Sequence, residues 1–237
     1  MKCDEKEAVA VKLFEPENPN VIICEGFHDA GLVEALLRHL AIDNCDVTYP
    51  KKTDGGNGES GIKTYIELLA GRYRTINGLM IVTDADENPG AKFRAISDAF
   101  CKPFVAPPKP FTIHRAKERK TGVFLTPGQG KTGELEHLLL EVVNADHPDA
   151  MRCIEAFRQC PDTANSMAGW PENKQAKMRM ACYIASHCKN EPCCSLGFIW
   201  SSKNRVLNIG SSVFAELSAL LKDFSSDSPA KQQPRPQ

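Results

Sequence analysis

The sequence predicts an α/β protein with a mainly parallel sheet flanked by helices, a β-hairpin and a helical C-terminal extension. Two apolar runs of strand length, 21–24 and 78–83, contain no alternating polar residues, which is typical of parallel strands buried on both faces. Strand-like and helix-like segments alternate before residue 102, as expected for βαβ units. From about residue 147 onward, the apolar spacing is helical throughout.

The first half of the chain divides into three strand–helix pairs. Strand 21–24 is followed by the turn residue Gly26 and by a helix that we expect to begin near Asp29, whose carboxylate would cap it. A second strand is predicted at 45–49, and a Gly-rich loop then leads to a helix at 60–70. A third strand, 78–83, precedes a helix at 89–101. Asn88 as cap and Pro89 at the first helical position mark the start of that helix.

The second half is predicted to contain a hairpin and several helices. The hairpin strands are placed at 111–114 and 122–125, and Thr132 is expected to cap the following helix. Later helices are expected at 151–157, 174–187 and 211–224. We therefore divide the chain into a lead-in at 1–19, an α/β domain at 20–145, a helical extension at 146–224 and a disordered tail at 225–237.

Composition restricts the class of protein. The chain has 237 residues, 42% of them hydrophobic and 25% charged, with a formal net charge of -1. This balance gives no bulk attraction to nucleic acid, so such binding requires a local basic patch. The ten cysteines include no CxxC pair, and no apolar stretch approaches the ~20 residues of a membrane span. The charged N-terminus lacks the apolar segment of a signal peptide, which predicts a cytoplasmic protein without a membrane partner.

Carboxylates follow both apolar runs. Glu25 and Asp29 follow the first run, and Asp84 and Asp86 follow the second. If the strands are neighbours, these groups meet at the carboxyl edge of the sheet, where ligands of open α/β sheets bind. Alternation along an extended chain would place Asp84 and Asp86 on the same side. Oxygen ligands suit Mg²⁺ or Mn²⁺, so Glu25, Asp84 and Asp86 predict a metal-assisted phosphoryl-transfer site.

These motifs resemble the Toprim domain of topoisomerases, primases and overcoming-lysogenisation-defect nucleases. The matching residues, within about residues 20–105, are Glu25, Gly26, Asp29, Asp84 and Asp86. The chain is more closely similar to small, stand-alone Toprim-related bacterial proteins of unknown function. That closer likeness extends to about residue 210 and is carried by the segment 84–89, by the Lys-rich, apolar helix expected at 174–185, and by Pro127, Gly133, Leu135 and Glu136.

The resemblance implies a Toprim-like fold and a role for Glu25 as a metal ligand or general acid–base group. The predicted function is therefore a Mg²⁺- or Mn²⁺-dependent nuclease acting on DNA or RNA phosphodiesters. A second ion would need further carboxylates, for which Asp29, Glu87 and Glu136 are the candidates. The alternative is a non-catalytic module that binds nucleic acid or a partner protein. An Asp-x-Asp phosphatase of the haloacid-dehalogenase type ranks lower, because here Asn88-Pro89 follows the motif.

Basic residues supply the candidate contacts to nucleic acid. Lys51 and Lys52 precede the Gly-rich loop near the expected site, and a second group surrounds the hairpin. Such side chains can neutralise phosphates, although a solvated loop tip has the same composition. The candidates for phosphate binding are Lys51, Lys52, Arg115, Lys117, Arg119 and Lys120.

Overall fold

The computed structural model describes residues 14–51, 58–72, 75–201 and 206–226. Five strands form one sheet: β1 (Asn20–Cys24), β2 (Cys45–Thr48), β3 (Gly78–Asp84), β4 (Ile113–Ala116) and β5 (Arg119–Thr126). Their order is β2-β1-β3-β5-β4. Every neighbouring pair is parallel except β4 and β5, which form the antiparallel hairpin. The predicted mainly parallel α/β fold with a hairpin is confirmed.

Strands β1 and β3 are neighbours, which is the arrangement that the acidic motifs require. Asn20 pairs with Gly78 and Cys24 with Val82, and Glu25 N–H donates to the Val82 carbonyl at 2.9 Å. The carboxyl ends of both strands therefore lie at the same edge of the sheet.

Eight α-helices are present in the described residues. They are α1 (Phe27–His39), α2 (Gly58–Arg72), α3 (Pro89–Ala99), α4 (Leu135–Asp146), α5 (Pro148–Gln159), α6 (Pro161–Ser166), α7 (Glu172–His187) and α8 (Ala215–Ser225). Short 3-10 helices lie at Leu196–Phe198 and Ser212–Phe214. None of the helices within the described ranges is long and apolar enough to cross a membrane.

Alternation along the strands divides the core between the two faces of the sheet. Ile22 and Met80 belong to the cluster that includes side chains of α1, α4, α7 and α8. Ile23 and Ile81, which point the other way, belong to the cluster that includes α2 and α3. The unbroken apolar runs of β1 and β3 are thus explained by burial on both faces.

Three local predictions need correction. Helix α1 begins at Phe27 after the N-cap Gly26, so Asp29 lies inside the first turn and is not the cap. Helix α4 is capped by Glu134, whose side chain bonds reciprocally with His137 in a capping box, and not by Thr132. The hairpin strands run 113–116 and 119–126, so the turn is much shorter than predicted. The tail expected to be disordered lies outside the described residues from 227 onward.

Candidate functional site at the carboxyl edge of the sheet

Glu25 lies where β1 ends and is held by groups from β3 and α3. Its Oε2 accepts a hydrogen bond from Thr83 Oγ1, a second from the backbone N–H of Asp84 at 3.2 Å, and a salt bridge from Lys92 Nζ at 3.1 Å. The other carboxylate oxygen, Oε1, faces Gly58, where an added Cβ would lie 3.3 Å away. Glu25 is therefore fixed in orientation against the end of β3, as the sequence predicted for a shared edge.

Asp84 ends β3 and points towards the start of α4. Its Oδ1 accepts from the backbone N–H of Leu135 at 2.9 Å, the first helical residue of α4. Burial raises the pKa of Asp84 to about 9, and the charges of Asp29 and Glu25 add to the rise. Asp84 therefore holds a proton at neutral pH when nothing else balances its charge.

Asp29 lies in the first turn of α1 and is 7% exposed. Its pKa is raised to about 7. Burial is the largest cause of this rise, the charge of Glu25 is the next, and the charge of Glu136 contributes less. The backbone N–H groups of Asp29 and Gly26 act in the opposite direction. Its Oδ1 is buried and has no hydrogen-bond partner among the described residues. Glu25, Asp29 and Asp84 thus form a cluster in which ionisation of all three acids is unfavourable unless further positive charge is supplied.

Asp86 differs from the prediction made for it. Strand β3 ends at Asp84, and Asp86 adopts a left-handed backbone with φ 53° while bridging Gly133 through two backbone hydrogen bonds of 3.0 and 2.8 Å. Strand alternation therefore does not continue to Asp86, and it cannot be used to place both carboxylates on one side. The Asp86 side chain is 55% exposed and pairs with Lys92 Nζ at 3.0 Å.

Lys92 is one of the residues of the site that sequence reasoning missed. It follows the N-cap Asn88 by four residues on α3, so its side chain returns to the carboxyl edge. The side chain is 9% exposed and contacts both Glu25 and Asp86. Burial by itself would lower the pKa of Lys92, but the charge of Glu25 and the hydrogen bond to Asp86 outweigh it and raise the pKa. A lysine six positions after Asp-x-Asp was the available signal.

Glu134 and Glu136 bring α4 to the same edge. Glu136, a predicted ligand, is 8% exposed, and its charge acts on both Asp29 and Asp84. Glu134 was not predicted. Burial would raise the pKa of Glu134, yet hydrogen bonds from Lys177 at 2.5 Å and Asn173 at 2.8 Å lower it. Glu134 is therefore neutralised by α7, whereas no salt bridge to Glu136 is found in the described part of the chain.

An open cleft of about 720 Å³ adjoins the acidic cluster. Its walls carry Lys92 and five carboxylates: Glu59, Asp86, Glu87, Glu134 and Glu172. The predicted ligand Glu87 is exposed on this wall. Glu136 and Lys177 line a second, mainly apolar cleft of about 420 Å³. The volume of the larger cleft is in the range of small-molecule sites. Most of the charged side chains on its wall are carboxylates.

The turn of the basic hairpin lies beyond the amino ends of the parallel strands, opposite the edge that carries the acidic cluster. Lys120 pairs in register with Gly78, whereas Thr126 pairs with Asp84. Six strand residues, about 20 Å, therefore separate Lys120 from the level of Asp84, and the hairpin turn lies farther still.

The hairpin cations also contact groups of the same chain. Arg115 binds Asp223 at 2.8 Å, Arg119 donates to the Ile76 carbonyl, and Lys120 donates to the Ser226 carbonyl at 3.1 Å. Lys117 is exposed at the turn. Lys51 is exposed after β2, and Lys52 lies outside the described residues. The structure does not bring the hairpin group and the acidic cluster together.

The donor set fits a divalent cation in chemistry more than in arrangement. All nearby acidic ligands are carboxylate oxygens, and the partner-free Oδ1 of Asp29 is an acceptor that a hard cation would satisfy. Within the described ranges, however, no three His, Cys, Asp or Glu side chains are arranged so that they could hold a metal ion. Lys92 Nζ lies instead between Glu25 and Asp86. Assembly of a complete ligand set therefore requires movement of side chains.

Comparison with known proteins places the chain in a family. Neither a curated protein nor a solved structure gives a significant match. A family model described as "Protein of unknown function (DUF3226)" matches residues 19–226, which span every strand and helix described above. The chain therefore belongs to the family of proteins of unknown function DUF3226.

Proposed function

We propose that the carboxyl edge of the sheet is a Mg²⁺- or Mn²⁺-dependent phosphoryl-transfer site that cleaves DNA or RNA phosphodiesters. The observation that carries the proposal is the acidic cluster of buried Asp29 with the half-buried Glu25 and Asp84, in which Asp29 Oδ1 has no partner among the described residues and two pKa values are raised. Such a cluster is stabilised by a cation. The resemblance to the Toprim domain, with Glu25, Asp84 and Asp86 at matching positions, supports the same function.

A bound divalent cation would polarise a phosphate and lower the pKa of a water molecule. The residues that would hold it are Glu25, Asp84 and Asp86, with Asp29 and Glu136 close to them. Thr83 and the backbone N–H of Asp84 fix one oxygen of Glu25, so its second oxygen, beside Gly58, is oriented for proton transfer. Asp84 would give up its proton when the cation binds, since ligation requires the carboxylate form.

Proton release provides a test that does not depend on finding the substrate. Calorimetric Mn²⁺ titrations at pH 7.5 in two buffers of different ionisation enthalpy measure the number of protons released. We expect release by the wild type, and much less by Asp84→Asn combined with Asp86→Asn, which should lose the ion. Unchanged Mn²⁺ affinity in the double variant would move the cation away from these residues.

Cleavage is tested with single- and double-stranded DNA and RNA in Mg²⁺ or Mn²⁺. We expect weak activity that Glu25→Gln abolishes while Mn²⁺ binding weakens and the fold is retained. The Glu25→Gln protein, purified in parallel, is the matched control for contaminating nuclease. Equal cleavage by both proteins would contradict a catalytic role for Glu25.

A second candidate is a non-catalytic module that binds nucleic acid or a partner protein. The observation that favours it is the salt bridge of Lys92 with Glu25 and Asp86, which provides positive charge without a metal ion. The acidic wall of the 720 Å³ cleft also opposes close approach of a polyanion. Mn²⁺ binding without cleavage of any nucleic acid would favour this module, or an enzyme that needs a partner protein.

A further inference from the structure

The Lys92 ammonium contacts two carboxylates at the carboxyl edge of the sheet, Glu25 and Asp86. Its Nζ lies 3.0 Å from Asp86 Oδ2 and 3.1 Å from Glu25 Oε2, and the side chain is 9% exposed. Both are contacts between an ammonium and a carboxylate, and hydrogen bonds between charged groups are about twice as strong as neutral ones. Lys92 thus provides the positive charge that Glu25 and Asp86 would otherwise take from a bound ion.

Lys92 does not compensate the other two carboxyls of the site, Asp29 and Asp84. Within the described ranges, Asp29 Oδ1 is buried without a partner, and Asp84 Oδ1 accepts a backbone hydrogen bond from Leu135. Lys92 does not pair with either of these carboxyls in the described structure, because its ammonium is directed to Glu25 and Asp86. The site therefore combines the Lys92 ammonium, which pairs with Glu25 and Asp86, with an unsatisfied acceptor, Asp29 Oδ1.

A cation that used both Glu25 and Asp86 would need oxygens that the ammonium now contacts. Two positive charges in this space would repel each other, so the ammonium would have to withdraw. A lysine has a flexible four-carbon stem, and Lys92 lines the 720 Å³ cleft whose walls carry Glu59 and Glu87. The cleft offers acidic side chains and space for the displaced ammonium.

We propose that Lys92 is a built-in competitor for the divalent cation, and that cation binding displaces its ammonium from Glu25 and Asp86 into the cleft. This inference rests on the proposed function, since it requires a cation at the same carboxylates. Its consequence is that the ammonium weakens cation binding, so the site fills at a higher cation concentration than it would without Lys92.

Calorimetric titration with Mn²⁺ tests the competition. Lys92→Met retains most of the apolar stem and removes the charge, so we expect Mn²⁺ to bind at least tenfold more tightly than to the wild type. Lys92→Arg retains the charge and should stay within threefold of the wild type. Lys131→Met is the matched control, because Lys131 pairs with Glu141 and not with Glu25 or Asp86. The Mn²⁺ affinity of this variant should equal that of the wild type.

Amine labelling of the wild-type protein tests the displacement without a substitution. An N-hydroxysuccinimide ester with peptide mass spectrometry should label Lys92 severalfold faster when Mn²⁺ is added. Lys120, which is also buried but lies at the opposite edge, should keep its rate. This measurement decides the question even if Lys92→Met does not fold.

The outcomes separate the inference from the proposed function. Equal Mn²⁺ affinity in the wild type and Lys92→Met, or Mn²⁺ binding without faster Lys92 labelling, overturns the displacement while the cation site remains. Absence of Mn²⁺ binding by the wild type and by folded Lys92→Met overturns both. Tighter binding by Lys92→Met together with faster labelling of Lys92 in the wild type supports both.

Discussion

Replacing Asp84 by Asn should stabilise the protein in the absence of metal, and the gain should increase with pH. An Asn side chain retains the oxygen that accepts from Leu135 N–H and removes the charge. The folded-state pKa of Asp84 is raised from 3.8 to about 9, first by burial and then by the charge of Asp29. Ionisation is therefore less favourable in the folded than in the unfolded protein. Stability falls as pH rises from 3.8 towards about 9, and the Asn variant escapes this loss.

The magnitude follows from the size of the shift. Each pKa unit corresponds to 1.36 kcal/mol, so a rise from 3.8 to about 9 corresponds to about 7 kcal/mol if it is fully realised. Relaxation and water penetration reduce the cost of burying charge in real proteins. We therefore expect Asp84→Asn to gain about 2–4 kcal/mol at pH 8 and close to none at pH 4.

Urea unfolding in EDTA at pH 4.5, 6 and 8, followed by circular dichroism, measures this gain. Asp149→Asn is the control: Asp149 is exposed and pairs with Arg152, so its free energy of unfolding should change little at any of these pH values. A gain for Asp84→Asn that does not grow with pH, or a loss of stability at pH 8, would refute the argument that the charge of half-buried Asp84 is uncompensated in the folded protein.

Three further substitutions test how the site is supported. Gly133→Ala should lower the free energy of unfolding by about 2–4 kcal/mol in urea titrations, because φ is 124° and the new Cβ would lie 2.7 Å from His137 Nδ1; an unchanged midpoint would contradict the positive-φ bridge. Asn88→Ala should cost about 1 kcal/mol, since the side chain caps α3, while Asn88→Ser should restore most of it. Glu134→Ala should lower the free energy of unfolding by about 1–2 kcal/mol, because α4 loses its cap and Lys177 loses its ion-pair partner. Thermal denaturation measures this loss. A loss no larger than that of Lys177→Met would assign the effect to the ion pair alone.

Local sequence signals were enough to predict the fold class and the edge where the acids meet. The apolar runs of β1 and β3 identify themselves as buried strands because nothing polar interrupts them, and Asn88-Pro89 marks the start of α3 within the chain itself. Adjacent parallel strands then bring Glu25 and Asp84 together by geometry. These features depend on residues that are near one another in sequence or on a rule shared by all α/β sheets.

Other features were decided by contacts between distant segments. The left-handed backbone of Asp86 is stabilised by the bridge to Gly133, and the side chain of Glu134, the cap of α4, binds Asn173 and Lys177 of α7. The separation of the basic hairpin from the acids depends on the direction in which β5 pairs with β3. Lys92 becomes part of the site only because the tertiary fold brings its ammonium, from α3, to within 3.1 Å of Glu25 at the end of β1. Such long-range packing sets the charge balance of the site, and the order of residues along the chain does not specify it.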